Sequence, residues 1–257
     1  FNLMKRFFFG PVLSRRLGFS LGIDILPDKK TCTFDCLYCE IGKTLRVISP
    51  KTRLPFFSEF KKNFELQLRK ILAQDILIDT LTFAGYSGEA TLNSELDSFL
   101  EITKLVKSDL KKDNIPITIL TNSSTVNSAE IRKKLAKFDI IVAKLDIGNQ
   151  ASFKKVNKPH FLVPQISEII NGLKQLKKEL TENKLIIQTL LFSENIDKQN
   201  IDSLIKAYNI ILPDSIQLYS IARPPAYPVK RLDNLQLEEI NKIIQRELKA
   251  KIEIETY

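Results

Sequence analysis

The chain is poor in the side chains that most often build cross-links and metal sites. Its 257 residues hold three cysteines, one histidine and one methionine. Three is an odd count and no secretory signal accompanies it, which argues against a disulfide framework. No segment approaches about 18 consecutive apolar residues, so no membrane-spanning helix is expected. Lys5 and Arg6 precede an apolar run too short for a signal peptide, and no small-residue cleavage site follows. The single methionine is Met4, which leaves two readings of residues 1–3, an appended tripeptide or native chain. Neither a repeat nor a low-complexity linker divides the sequence. Interleaved aromatic and basic residues, the mark of a nucleic-acid platform, are confined to Arg6-Phe7-Phe8-Phe9, which reads better as a strand or packing segment.

Hydrophobic residues make up 44% of the chain, enough for a large core, and an α/β unit of this length is expected to form one domain over residues 1–257. The formal charge of +9 points to an anionic partner such as RNA. Against that, lysine and isoleucine are abundant throughout, and many lysines fall on polar helix faces, where a solvated surface is the ordinary outcome.

All the cysteines stand together, as Cys32-Thr-Phe-Asp-Cys36-Leu-Tyr-Cys39. Three thiolates this close can bind three irons of a cubane cluster. No fourth cysteine exists for the fourth iron, which would be open to a non-protein ligand. A Cys3His zinc site with His160 is the competing reading. It places the histidine over a hundred residues from the thiols, whereas structural zinc ligands usually come in close pairs. Free thiols and an oxygen-sensitive cluster both fit a reducing cytoplasm.

Around this loop, strand and helix patterns alternate. Residues 10–20 read as turn-forming and basic, with Arg15 and Arg16 available to an acidic ligand or to the surface. Strands are expected at Leu21–Pro27, Ile76–Phe83, Ile115–Leu120, Phe138–Ile147, Leu185–Phe192 and Ser215–Ile221. Helices are expected at Ser58–Ala73 with Ser58 as cap, Ser94–Leu110, Ser128–Lys137, Pro164–Leu180, Asn200–Asn209 and Leu235–Lys249. Lys251–Tyr257 reads as an edge strand or a tail. Six alternations predict a parallel sheet with right-handed crossovers and outer helices, short of the eight units of a closed barrel. The core covers about 20–225, and the last helix and tail lie within 230–257.

The cysteine spacing, with Tyr38 just before Cys39, resembles the signature of the radical S-adenosylmethionine (SAM) superfamily. That resemblance implies one 4Fe–4S cluster on Cys32, Cys36 and Cys39, with SAM chelating the open iron. It also implies reductive cleavage of SAM to a 5′-deoxyadenosyl radical and an open sheet forming a partial (β/α)6 TIM-like barrel, which agrees with the strand count. Gly85-Tyr-Ser87-Gly88-Glu89 follows the second strand, where the family carries a Gly-Gly-Glu motif facing the amino group of SAM. Here Ser87 replaces the first glycine and Ala90 stands where proline is common. By the same resemblance the ends of later strands meet ribose and adenine, placing Asn122, Lys144, Asp146 and Gln188 among the SAM contacts. Asp146 or Asn122 suits a ribose hydroxyl, Lys144 the SAM carboxylate, and Tyr38 packs beside adenine. Arg223 is assigned to substrate or to surface charge, and His160 to a loop.

Gly10-Pro-Val-Leu-Ser-Arg-Arg-Leu-Gly18, the cysteine loop, Gly88-Glu-Ala-Thr-Leu92, Lys144-Leu-Asp146 and Asn157-Lys-Pro-His160 together resemble stand-alone radical SAM oxidoreductases related to the tRNA wyosine-base synthases. Those synthases hold a second cluster on further cysteines, and this chain has none to spare. The resemblance implies a reductase partner such as flavodoxin or ferredoxin. Two enzyme readings stand, RNA modification and hydrogen abstraction from a protein as in glycyl-radical activating enzymes. A zinc-stabilised nucleic-acid-binding protein is the reading outside that class.

Overall fold

The computed structural model describes residues 7–26, 29–54 and 58–257. Eight strands form one sheet in sequence order: β1 (Phe8–Ser14), β2 (Gly18–Ile23), β3 (Thr80–Phe83), β4 (Ile117–Thr121), β5 (Ile140–Lys144), β6 (Lys184–Leu190), β7 (Ser215–Tyr219) and β8 (Glu253–Thr256). Every pair from β2 to β8 is parallel, and β1 runs antiparallel to β2. The sheet curls into an open half-barrel, as the six-unit reading predicts for β2–β7.

Two segments differ from expectation, and one open reading is resolved. Residues 10–20, read as turn, form most of the β1–β2 hairpin. The glycine and proline there are accommodated by a shift of register between Phe9 and Val12, on an edge strand where proline costs no ladder bond. The C-terminal segment is an edge strand, β8, parallel to β7. The second expected strand is shorter because Leu77 is exposed and pairing begins at Thr80. Pro27, the expected end of the first parallel strand, and Met4 lie outside the described residues.

The helices are α1 (Ser58–Leu72), α2 (Leu96–Asp109), α3 (Ala129–Leu135), α4 (Gln150–Val156), α5 (Ile166–Glu179), α6 (Lys198–Ile211) and α7 (Asn234–Glu247). In α1, Phe64, Leu68 and Leu72 recur every four residues and are buried. Ser58 is the first residue of this helix rather than its cap. The one unexpected α-helix, α4, has only seven residues and two buried apolar ones, too little periodicity to stand out. Its start is nonetheless marked, since Asn149 accepts from the Ser152 N–H at 3.0 Å. Ser128, Asp197 and Asp233 cap α3, α6 and α7 in the same way.

Alternation along the strands gives the sheet two faces. Leu21, Ile23, Leu81, Phe83, Ile117, Ile119, Ile141, Leu185, Ile187, Ile216 and Leu218 join a single core cluster with the helices. The concave face is polar. Ser20 bonds Thr82 at 2.7 Å and Thr80 bonds Thr118 at 2.8 Å. Lys144, Gln188, Gln217 and Glu255 stand level on β5 to β8.

Candidate functional site

The cysteine loop leaves the carboxyl end of β2, the edge where parallel α/β sheets place their chemistry. Its path is fixed from several sides. Thr33 is buried; its hydroxyl donates to Ser124 Oγ at 2.7 Å, and its carbonyl accepts from the His160 N–H at 2.9 Å. The Phe34 ring packs edge-on against Phe153 of α4, 5.5 Å between centroids. Asp35 accepts from the Thr44 N–H at 2.7 Å and from the Tyr227 hydroxyl. The Leu37 N–H donates to the Val156 carbonyl at 2.9 Å.

Each cysteine sulfur faces one side-chain N–H donor. Lys30 Nζ is 3.1 Å from Cys39, Asn122 Nδ2 is 3.5 Å from Cys32 and Asn157 Nδ2 is 3.4 Å from Cys36. The thiols are free and half-buried, and near enough to feel one another's charge. Burial pushes the Cys32 thiol up to about 11 and Cys36 higher still. A coordinated metal reverses that shift by deprotonating its thiol ligands. Among the described residues, no three Cys, His, Asp or Glu side chains gather closely enough to hold one metal ion. A tetrahedral zinc, with sulfur at about 2.3 Å, needs such a gathering, whereas a cluster spreads its cysteines over several irons. His160 is turned to its own loop, with Nδ1 accepting from the Leu162 N–H at 3.1 Å. The donor set fits an iron–sulfur cluster and not the Cys3His zinc site.

Beside this loop runs Gly85–Glu89. The Thr31 N–H donates to the Ser87 carbonyl at 2.6 Å, and the Glu89 N–H donates to the Thr31 carbonyl at 2.9 Å. Gly88 has φ +136°, and a Cβ there would lie 1.8 Å from the Thr31 oxygen. Glycine is therefore required for backbone to meet backbone. The Ser87 hydroxyl donates to Asp24 Oδ2 at 2.6 Å. Glu89 is buried and both of its carboxylate oxygens accept hydrogen bonds. One oxygen accepts from the Thr91 hydroxyl at 2.6 Å and the Thr121 hydroxyl at 2.8 Å, the other from the Asn122 N–H at 2.6 Å. Burial raises its pKa, and these hydrogen bonds work against the rise.

A second network lies across the ends of β5 to β7. Lys144 Nζ is 2.6 Å from the Tyr219 hydroxyl and 3.2 Å from Asp146 Oδ1. It also lies over the rings of Tyr38 and Tyr219, at 5.0 and 4.9 Å. Burial works against its charge, but Asp146 and Tyr219 outweigh it and hold the ammonium above its ordinary pKa. Asp146 is buried, accepts from the Leu190 N–H at 2.7 Å and takes the Tyr38 hydroxyl. Burial, then Asp146, raises the Tyr38 phenol. The Tyr38 ring packs edge-on against Phe192 at 5.5 Å. Between this network and α4 and α5 is a cavity of about 20 Å³ lined by Tyr38, Asn122, Lys144, Asp146 and Asn157.

Cys32, Cys36, Cys39, Tyr38, Asn122, Lys144 and Asp146 are thus brought together, with Ser87, Gly88 and Glu89 along one side. Gln188 is the exception in kind. It sits within β6 rather than at its end, and Nε2 donates to Gln217 Oε1 at 3.2 Å. Arg223 pairs with Glu40 at 3.1 Å at the surface. Arg16 stacks over the Tyr219 ring at 4.1 Å, and Arg15 is exposed. Sequence reasoning overlooked Lys30, Tyr219 and the role of Asn157. Asn157 lies in a quoted motif, but nothing in its spacing tells that its amide reaches a sulfur.

The family model of the Radical SAM superfamily matches residues 28–205. UPF0026 protein MJ1312 of Methanocaldococcus jannaschii is 30% identical over 92% of this chain and 69% of its own length. A protein of Brachyspira hyodysenteriae named GTPase Obg is 32% identical over 96% of this chain, which spans only 34% of that protein. The GTPase name does not transfer, since this chain has no G-x4-G-K-[ST] phosphate loop. Among solved structures, a radical SAM methyltransferase from Sphaerobacter thermophilus aligns with TM-score 0.63 at 16% identity, over 93% of this chain and 65% of that one. TYW1 with a lysine-pyruvate adduct bound aligns with TM-score 0.63 at 14% identity, over 89% of this chain and 74% of that one. At such identities the likeness is one of fold.

Proposed function

The chain belongs to the radical SAM superfamily, and on that premise we propose that Cys32, Cys36 and Cys39 hold three irons of one 4Fe–4S cluster beside a SAM site at the ends of β3–β6. Bound together, cluster and SAM supply reductive cleavage of the sulfonium and a 5′-deoxyadenosyl radical for hydrogen abstraction. The single observation that carries this reading is the set of three free cysteines on one loop, each facing its own N–H donor, within the matched residues.

The chain's own residues then have distinct tasks. Lys30, Asn122 and Asn157 orient the sulfurs and offset their charge. Gly88 lets the loop after β3 lie against the cysteine loop, so that its backbone meets the SAM amino group. Glu89, with its oxygens already taken, positions the end of β4 instead of meeting that ammonium. Lys144 exchanges Asp146 or Tyr219 for the SAM carboxylate, and the freed Asp146 turns to a ribose hydroxyl together with Asn122. Tyr38 lies beside adenine. Gln188 faces the concave side, below these groups.

The described residues are read as one domain built on the single sheet. The basic balance favours an anionic substrate, RNA, over a protein backbone. Free thiols support a reducing cytoplasm as the compartment, with a flavodoxin or ferredoxin as the reductant. Among the described residues no helix is long and apolar enough to cross a membrane.

The decisive experiment is anaerobic reconstitution with iron and sulfide, then electron paramagnetic resonance of the reduced protein with and without SAM. A reduced cubane signal that changes on adding SAM is expected. A protein that takes up zinc and ignores SAM would overturn the assignment. Capture of RNA from an anaerobic lysate, abolished by ribonuclease, separates RNA from protein substrates.

A further inference from the structure

Apolar side chains stand exposed behind the cysteine loop. Leu45 is 99% exposed and Phe161 85%, in a chain whose core hides nine of the twelve other phenylalanines among the described residues. Ile41 and Leu162 are exposed beside them in sequence. The two segments are neighbours in space. The Thr44 hydroxyl donates to the Phe34 carbonyl at 2.8 Å, Phe34 pairs with Pro159 across an isolated bridge, and the Asp35 N–H donates to the Asn157 carbonyl at 3.0 Å.

The rim is basic. Lys43 and Lys158 both lie over the Tyr227 ring, at 4.7 and 3.7 Å, which brings two ammonium groups to one spot on the loop's outer side. Tyr227 is tied to that loop by its N–H to the Leu37 carbonyl at 3.1 Å. Arg46 is exposed alongside, and the acidic Glu40 is neutralised by Arg223. Aliphatic groups ringed by cations form a surface for another protein with an acidic face, since a partner's apolar anchor is desolvated at the centre while charges steer at the rim.

We propose that this face docks a small acidic electron-transfer protein, delivering one electron to the cysteine loop from the side opposite the barrel. The proposal rests on the cluster reading above. The donor loses one electron, the cluster gains it, and no atom is transferred. Phe161, stacked on His160 at 4.4 Å, is the patch's one exposed aromatic, whereas Leu45, Ile41 and Leu162 offer a nucleic acid no stacking platform and favour a protein partner over RNA.

The test uses the full chain and an acidic flavodoxin. Oxidised flavodoxin is titrated into the protein at low and high ionic strength, a measurement that needs no cluster. Saturable binding is expected, weakened by salt, and weaker by on the order of tenfold in Leu45→Glu/Phe161→Glu and in Lys43→Glu/Lys158→Glu. Leu45, Phe161 and Lys43 are exposed and Lys158 is half-buried, and equal thermal midpoints for parent and variants check that the fold is kept. With the cluster in place, reduced flavodoxin should reduce the variants on the order of tenfold more slowly. Dithionite, which needs no docking face, should reduce them at the parent rate. Equal flavodoxin affinity in parent and variants, or slowing by dithionite too, would overturn the proposal. So would tRNA binding that the same substitutions abolish while flavodoxin fails to bind. Failure of dithionite to give any reduced signal counts against the cluster alone, because the titration still decides the docking.

Discussion

The two faces of the sheet are made from the same strands and obey different rules. On the convex face, isoleucine, leucine and phenylalanine merge with the helices, and the Phe7, Phe64 and Phe99 rings meet at 5.0 to 6.0 Å. On the concave face, the hydroxyls of Ser20, Thr80, Thr82 and Thr118 bond one another, and Lys144 and Gln188 take the places apolar residues would hold. Burying polar groups is costly unless each finds a partner, and here each does. The convex face provides the free energy of folding, while the concave face and its loops spend part of it on chemistry. The faces should therefore be separable by mutation.

The largest effect belongs to the loop. Cys36→Ala leaves two thiols for three irons, and iron and sulfide content after anaerobic reconstitution should fall to background while the unfolding transition of the metal-free protein barely moves. Retention of full iron would break both the assignment and the separation. Next comes the convex face. Phe99→Ala should cost about 3–5 kcal/mol, read from the urea midpoint, and should leave folded protein able to take up iron.

Glu89→Gln tests where the faces meet. Replacing an acceptor oxygen with an amide sets donors against the Thr91, Thr121 and Asn122 donors, and should cost about 1–3 kcal/mol. Its pH dependence has a defined sign. Burial raises the Glu89 pKa above the ordinary 4.5. The native state then holds the proton more tightly than the unfolded chain, and stability from this group falls as pH rises from 4.5 through the raised value. Urea midpoints of parent and variant should differ most at low pH and converge as pH rises; a gap that widens with pH would contradict this. The smallest effect is Asn157→Leu. Losing one N–H donor to Cys36, a bond of about 0.5–1.5 kcal/mol, should lower the cluster's midpoint potential by roughly 20–60 mV in a redox titration, without loss of iron.

Much of the architecture was legible because β2–β7 and six of the helices carry strong period-2 or period-3.6 patterns. The cysteine loop was legible from spacing. The edges were not: Gly10 and Pro11 signal a turn, and only pairing with β2 makes them a bulged strand. In the site, Asn122, Lys144 and Asp146 could be placed near strand ends from the sequence, but their partners were invisible. Glu89 has the right charge for an ammonium, yet its oxygens turn to Thr91, Thr121 and Asn122, which come from two places along the chain. Lys30 and Asn157 reach sulfur only through the path of the loops, and no periodicity encodes that.

The bonds between Thr31 and the Gly88 loop are all main-chain, made through Ser87 and Glu89, with Gly85 and Gly88 both restricted by space. Tyr86 in that loop is 61% exposed. The junction is thus nearly indifferent to side-chain identity: a lineage can rewrite Tyr86 or Ser87 and keep the seam. A search that scores letters will undervalue this loop, whereas one that scores the allowed backbone at position 88 will find it.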